Sequence, residues 1–308
     1  MPTAYISHPS FLKHEMGAGH PECPDRLAAI HDHLLMQGLL DLMPPYDAPR
    51  ATHAQVGRVH DALYVAELEA AAPADGYVHL DPDTAMNPHT LTAAWHAAGA
   101  AVLGAELVAC GEVQSAFCCV RPPGHHAERH QAMGFCFFNN VAVGVAHALA
   151  TLGVDRVALV DFDVHHGNGS ENIFAGDERV LMVSTFEQHL YPFSGEVPQG
   201  PNMINVPLAS RSRGDTMRRA VAERWLPALD KFAPEIVFIS AGFDAHRDDD
   251  MASLGWVEAD YAWVTHEIMR VARRHANGRV VSLLEGGYDL PALARSVAAH
   301  VGALMGAD

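Results

Sequence analysis

The chain has 308 residues, 49% hydrophobic and 19% charged, a globular balance that excludes a disordered chain or a coiled coil, and it lacks the run of about 18 apolar residues that suggests a membrane span. Twenty Lys and Arg against thirty-seven Asp and Glu leave a net charge of −17, which disfavours nucleic-acid phosphate as a partner and is compatible with cationic ligands. The opening residues, MPTAYISHPSFLKHE, show no basic segment followed by an apolar one, so no signal peptide is expected and the expected location is the cytoplasm.

In chain order, helical periodicity is predicted over Asp25–Leu40 and Thr90–Cys110. The apolar strand Ser115–Val120 then runs into Arg-Pro-Pro-Gly-His125-His126. After a helix over Val141–Leu152, the strand Arg156–Val160 leads into Asp161-Phe-Asp163-Val-His165-His166-Gly-Asn168-Gly. A strand over Val180–Thr185 and a helix over Asp215–Lys231 precede the strand Ile236–Ser240, which ends in Ala-Gly-Phe-Asp244. A helix over Ala259–His275, the strand Val280–Leu284 with Glu285-Gly286-Gly287-Tyr288 behind it, and a helix over Pro291–Met305 close the chain. The strands are continuous apolar runs, as expected when helices cover both faces of a parallel sheet. One open α/β domain over residues 1–308 is the economical expectation. Ligands of such sheets bind outside the carboxyl ends of the strands, so four polar clusters are expected to converge on one edge.

Those clusters suggest metal chemistry. Asp163 and His165 lie two apart and project to the same side of an extended segment. Asp244 can join them from another strand end, and three such ligands leave a coordination position open for water, as catalytic zinc requires. The same set also suits iron(II), cobalt or manganese. One imidazole of His125-His126 could then remove a proton from water and later protonate a leaving amine. The two rings have different partners available: Asp161 would hold a nearby imidazole cationic, whereas Asn168 could orient the other as a neutral amide. The Tyr288 hydroxyl could stabilise a tetrahedral oxyanion. Together these residues describe metal-assisted amide hydrolysis by direct water attack. Five cysteines without a CxxC pair suit a reducing compartment, with Cys118, Cys119 and Cys136 expected as buried small hydrophobes.

At these residues the sequence resembles the zinc-dependent histone deacetylase family, specifically its class II-like bacterial deacetylases and amidohydrolases. The matching blocks are His20–Arg26, Arg121–Glu128, Gly134–Asn140, Asp161–Gly169, Gly242–Ala245 and Glu285–Tyr288, in the family's order across nearly the whole chain. The resemblance implies a single-domain arginase-like α/β fold with about eight parallel strands. It implies one Zn2+ on Asp163, His165 and Asp244, with His126 as general base and acid and His125 as its cationic partner, paired with Asp161. It further implies Asn168 in the class II-like position and Tyr288 as transition-state stabiliser, with no organic cofactor. Structural K+ is implied at an inner site of Asp161, Asp163, His165, Ser184 and Thr185, and at an outer one near Phe174, Asp177, Val180 and Asn202. For the substrate, the resemblance implies Gly134, Phe135 and Tyr191 as tunnel walls, Gly286 as a further substrate-binding residue, Asp83 on a loop gripping the substrate backbone, and Met251 at the rim. The expected partners are acetylated lysine peptides and proteins or small acetylated amines, with a homo-oligomer left open and neither nucleic acid nor membrane.

Three alternatives stand beside deacetylation of lysine. Acetylpolyamines would be the substrate if one carboxylate of the run Asp248-Asp249-Asp250 turned into the tunnel, although a solvated loop is the expectation for that run. A binuclear manganese ureohydrolase would need further carboxylate ligands that the Asp161–Gly169 stretch lacks. A non-catalytic acyl-lysine binding module would have no use for both histidines and Tyr288.

Overall fold

The computed structural model describes residues 2–307. Eight strands form one sheet: β1 (Thr3–Ser7), β2 (Pro45–Asp47), β3 (Ser115–Cys118), β4 (Val157–Asp161), β5 (Val180–Glu187), β6 (Met203–Leu208), β7 (Ile236–Ala241) and β8 (Val280–Leu284). Their order is β2-β1-β3-β8-β7-β4-β5-β6, and every neighbouring pair is parallel. The strands β3, β4, β5, β7 and β8 are buried at every position, which is why their sequences are largely apolar rather than alternating.

The helices form two packed groups against this sheet. Thr90–Ala109 (α2) packs on Asn140–Thr151 (α3), and Leu290–Met305 (α5) packs between Asp25–Met36 (α1) and Glu258–His275 (α4). By length and composition α2 could cross a bilayer, but 72% of its apolar window is buried as core. Its alanines and Gly99 bring it close to its neighbours. A Cβ on Gly99 would meet the Pro49 carbonyl oxygen.

Boundaries differ from the sequence expectation where backbone chemistry intervenes. The first long helix stops at Met36 rather than Leu40, because Gly38 takes a φ of 69° just beyond the cap. The helix expected over Asp215–Lys231 is Gly214–Ala220, a π-helical turn Val221–Trp225, then Leu226–Phe232. Pro227 has no N–H for the regular ladder, so the turn before it widens.

Three strands of this sheet went unpredicted. They are β1, the three-residue edge β2, and β6, whose Pro207 suits only an edge strand.

Candidate active site

The sheet order brings the four polar clusters side by side. They follow β3, β8, β7 and β4, which are the four consecutive central strands. At their carboxyl ends, Asp163, His165 and Asp244 each present a ligand atom, all within 4.8 Å of one another and all buried. His165 Nδ1 lies 3.1 Å from both Asp163 Oδ1 and Asp244 Oδ2. The remaining carboxylate oxygens are held by peptide N–H groups: Gly286 donates to Asp163 Oδ2 (2.8 Å) and Val164 to Asp244 Oδ1 (3.0 Å). Gly286 must lack a side chain, because its Cβ would stand 2.1 Å from Asp244 Oδ2.

Burial opposes charge on His165, but its bonds to the two carboxylates outweigh it and push the pKa up to about 10. Burial, reinforced by the charge of Asp163, raises Asp244 to about 6. The pair thus demands positive charge. A divalent cation meets that demand and displaces the imidazole proton. Two carboxylates and one imidazole fit catalytic zinc and equally suit iron(II), cobalt or manganese.

The adjacent histidines part company electrostatically. His125 Nδ1 lies 3.0 Å from Asp161 Oδ2. Burial works against its charge, yet Asp163 and Asp161 prevail and lift its pKa to about 10. His126 Nδ1 lies 2.8 Å from Asn168 Oδ1. Burial and the cationic His125 beside it, ring centroids 4.0 Å apart, hold His126 well below the usual imidazole range. One ring is a fixed cation and its neighbour a neutral base. Asn168 in turn donates to Glu128 Oε1 (2.7 Å), which fixes the amide so that its oxygen faces His126.

A cavity of about 370 Å³ opens onto these groups, lined by His125, His126, His165, Gly134, Phe135, Tyr191, Gly286, Tyr288, Met251 and Asp83, with His20, Pro21, Pro123 and Leu190. The Tyr191 ring meets His126 edge-on at 5.2 Å, and Phe135 meets Tyr288 edge-on at 6.0 Å. A Cβ on Gly134 would lie 2.5 Å from the His126 ring, so only glycine lets that wall approach the base. Asp83 is exposed at the mouth, where its carbonyl meets His20 Nε2 at 3.3 Å.

Several groups of this centre were missed in the sequence. Glu285 accepts N–H bonds from Gly124 (2.6 Å) and His125 (3.1 Å) and the hydroxyl of Ser240 (3.2 Å), tying three strand ends together. Burial, reinforced by Asp161 and Asp163, raises its pKa to about 7. Arg26 donates to the carbonyls of Glu285 and Gly287, both at 2.6 Å, and lies over the Tyr288 ring. Glu22, fully buried, joins Arg26, Arg121 and His14. Fully buried charges look like surface charges in a sequence. The signal for Glu22, Arg26, Arg121 and Glu285 was their place in the blocks His20–Arg26, Arg121–Glu128 and Glu285–Tyr288.

The run Asp248–Asp250 also departs from expectation. Asp248 and Asp250 are exposed, but Asp249 is buried and turned inward, onto backbone N–H groups. The two cation clusters differ. At the inner one, Asp161 pairs in register with Ser184, and the buried Thr185 hydroxyl beside them has no hydrogen-bond partner. At the outer one, Asn202 Nδ2 donates to the carbonyls of Phe174 (2.9 Å), Asp177 (3.1 Å) and Val180 (2.9 Å). Its Oδ1 accepts from Gly176 N, which fixes the orientation. The carbonyls expected around the outer K+ thus converge on the Asn202 side chain.

Residues 20–304 match the histone deacetylase domain. The chain is 36% identical to a histone deacetylase-like amidohydrolase of Pseudomonas aeruginosa, over 88% of this chain and 73% of that one. It is 35% identical to a probable deacetylase of Archaeoglobus fulgidus, over 94% and 82% of the two chains. Among solved structures it superposes on the HDA15 HD domain with a TM-score of 0.93 at 32% identity, covering 100% of this chain and 90% of that one.

Proposed function

The chain belongs to the histone deacetylase family of amide-bond hydrolases, and we propose that it is a zinc-dependent deacetylase of acetylated lysine side chains. The observation that carries this reading is the convergence of Asp163, His165 and Asp244 with two oppositely biased histidines on one narrow cavity. Held by those three ligands, the ion would supply Lewis acidity for water and for the acyl carbonyl. His126, kept neutral by burial and by its cationic neighbour, takes a proton from the attacking water and returns it to the departing lysine amine. His125 stays protonated on Asp161 and stabilises negative charge through space. Tyr288 donates its hydroxyl hydrogen to the developing oxyanion. Water and amide thus become acetate and free amine, with no acyl-enzyme.

Gly134, Phe135 and Tyr191 form walls that suit the aliphatic stem of lysine. Met251 at the rim offers an adaptable apolar contact and no charge for an internal ammonium. Since Asp249 turns onto backbone rather than the cavity, acyl-lysine is favoured over acetylpolyamine. Asp83 would grip the peptide backbone at the mouth. K+ is assigned to the inner cluster, through the main-chain oxygens of Asp161, Asp163, His165 and Thr185 and the side chains of Asp161 and Ser184, and to an outer site at the carbonyls of Phe174, Asp177 and Val180 beside Asn202.

The test is an activity panel on metal-reconstituted protein across acetyl-lysine peptides, longer acyl-lysines and acetylpolyamines. Acetate release from acetyl-lysine peptide should vanish on chelation and return with zinc. A preference for acetylspermidine by a wide margin overturns the substrate assignment, and no acetate from any substrate overturns the reading.

A further inference from the structure

We propose that Asp249 is the positioning residue for Tyr288: one buried carboxylate sets the aim of the phenol and ties it to the tunnel rim. The inference rests on the reading of Tyr288 as the oxyanion donor and adds the residue that makes it one.

Glu285–Tyr288 belongs to no helix or strand, and Gly286 and Gly287 give it wide backbone freedom, Gly287 at a φ of 118°. Such a turn cannot hold a side chain still unaided. Arg26 and Asp163 secure its first half, through the carbonyls of Glu285 and Gly287 and the N–H of Gly286. The second half rests on Asp249. Its Oδ2 accepts the N–H of Tyr288 at 2.6 Å and that of Asp289 at 3.0 Å. These are the peptide groups on either side of the Tyr288 α-carbon, so the clamp fixes both backbone torsions and with them the direction of the Cα–Cβ bond.

The other carboxylate oxygen accepts the N–H of Met251 at 3.0 Å. Asp249 is 5% exposed and has no ion-pair partner among the described residues. Its two oxygens together accept three peptide N–H groups, which hold the side chain in one place. The neighbouring Asp248 faces solvent and arginines instead, lying 3.5 Å from Arg295 and 3.6 Å from Arg247. Only the middle member of the run reaches the turn.

The test is a double-mutant cycle on zinc-loaded protein with an acetyl-lysine peptide. Asp249→Ala is expected to lower kcat by about 10- to 100-fold, the scale of a misplaced catalytic group, with KM moving less. Bound zinc, from elemental analysis, should remain at one ion per chain. In a Tyr288→Phe background the same substitution should cost no more than about twofold, because groups that act as a unit are not additive. Asp249→Asn, which keeps one acceptor oxygen for the three donors, should recover part of the loss. If Asp249→Ala does not fold, Asp249→Asn carries the same cycle. An equal fold-loss in both backgrounds, or an unchanged kcat in folded, zinc-loaded Asp249→Ala, overturns the proposal. A Tyr288→Phe variant with wild-type kcat overturns the reading of Tyr288 itself, and this inference with it.

Discussion

At the scale of single residues, the site works by giving identical side chains unlike surroundings. His125 and His126 share a backbone and almost a ring contact, yet Asp163 and Asp161 hold one cationic against its burial, while burial and that cation keep the other neutral. His126→Ala should therefore lower kcat by about 10²–10⁴, the range for a lost general base, with KM little changed. Steady-state kinetics on a metal-loaded sample decide this, and a KM effect alone would make His126 a binding residue. Asp244→Ala should lose metal and turnover together while near-UV circular dichroism stays native. Full zinc retention on elemental analysis would remove Asp244 from the ligand set. Gly134→Ala probes the wall: its methyl must push the His126 ring aside, so a loss of about 10²-fold in kcat is expected.

At the scale of elements, the chemistry sits where strands stop, and this much was legible in the sequence. Fully buried strands are mostly apolar, so the polar cluster that follows each of the four central ones marks both the strand end and the site. The edges were illegible for the opposite reason. Pro45–Asp47 is short and partly exposed, and Met203–Leu208 contains Pro207, so neither carries the pattern of a core strand. Long-range pairings were illegible too. Nothing local in Glu22 announces that it meets Arg121, 99 positions away, while Arg26 on α1 reaches the turn after β8. This buried cluster joins the first helix to two central strand ends, so Glu22→Ala leaves two guanidiniums unpaired in the interior. A loss of about 3–5 kcal/mol is expected, read as a lower urea midpoint at unchanged slope.

At the scale of the molecule, several of the twenty-one histidines are structural and must stay neutral. His60 places Nδ1 2.9 Å from the Glu128 carbonyl while Nε2 accepts the Asn139 N–H, and burial lowers its pKa to about 4. His300 is bracketed by Thr265 and Ser282 among Phe117, Phe162 and Phe243, and burial lowers it to about 3. Above about pH 6.5 both are neutral folded or unfolded and stability is independent of their titration. As pH falls through 6.5 the unfolded chain takes up protons that the fold refuses, and stability declines until the folded values near 4 and 3 are reached. Each contributes a slope of about 1.4 kcal/mol per pH unit in that window. Unfolding free energies of the wild type and of His300→Gln, measured from pH 6.5 to 5, should therefore diverge, the variant's slope lacking one such increment. An unchanged slope in that variant would mean His300 titrates normally in the fold.

The order β2-β1-β3-β8-β7-β4-β5-β6 also has a temporal meaning. The last strand made, Val280–Leu284, is the keystone between Ser115–Cys118 on one side and Ile236–Ala241 on the other. Until it leaves the ribosome, the sheet exists as two unjoined leaves, the histidine pair following a strand of one and all three metal ligands following strands of the other. A chain ending before Val280 holds every ligand and both imidazoles yet lacks the strand that pairs the two leaves and the turn that carries Tyr288. Joining the two leaves through the sheet waits for that one strand, so a chain cut before Val280 is expected to show no turnover.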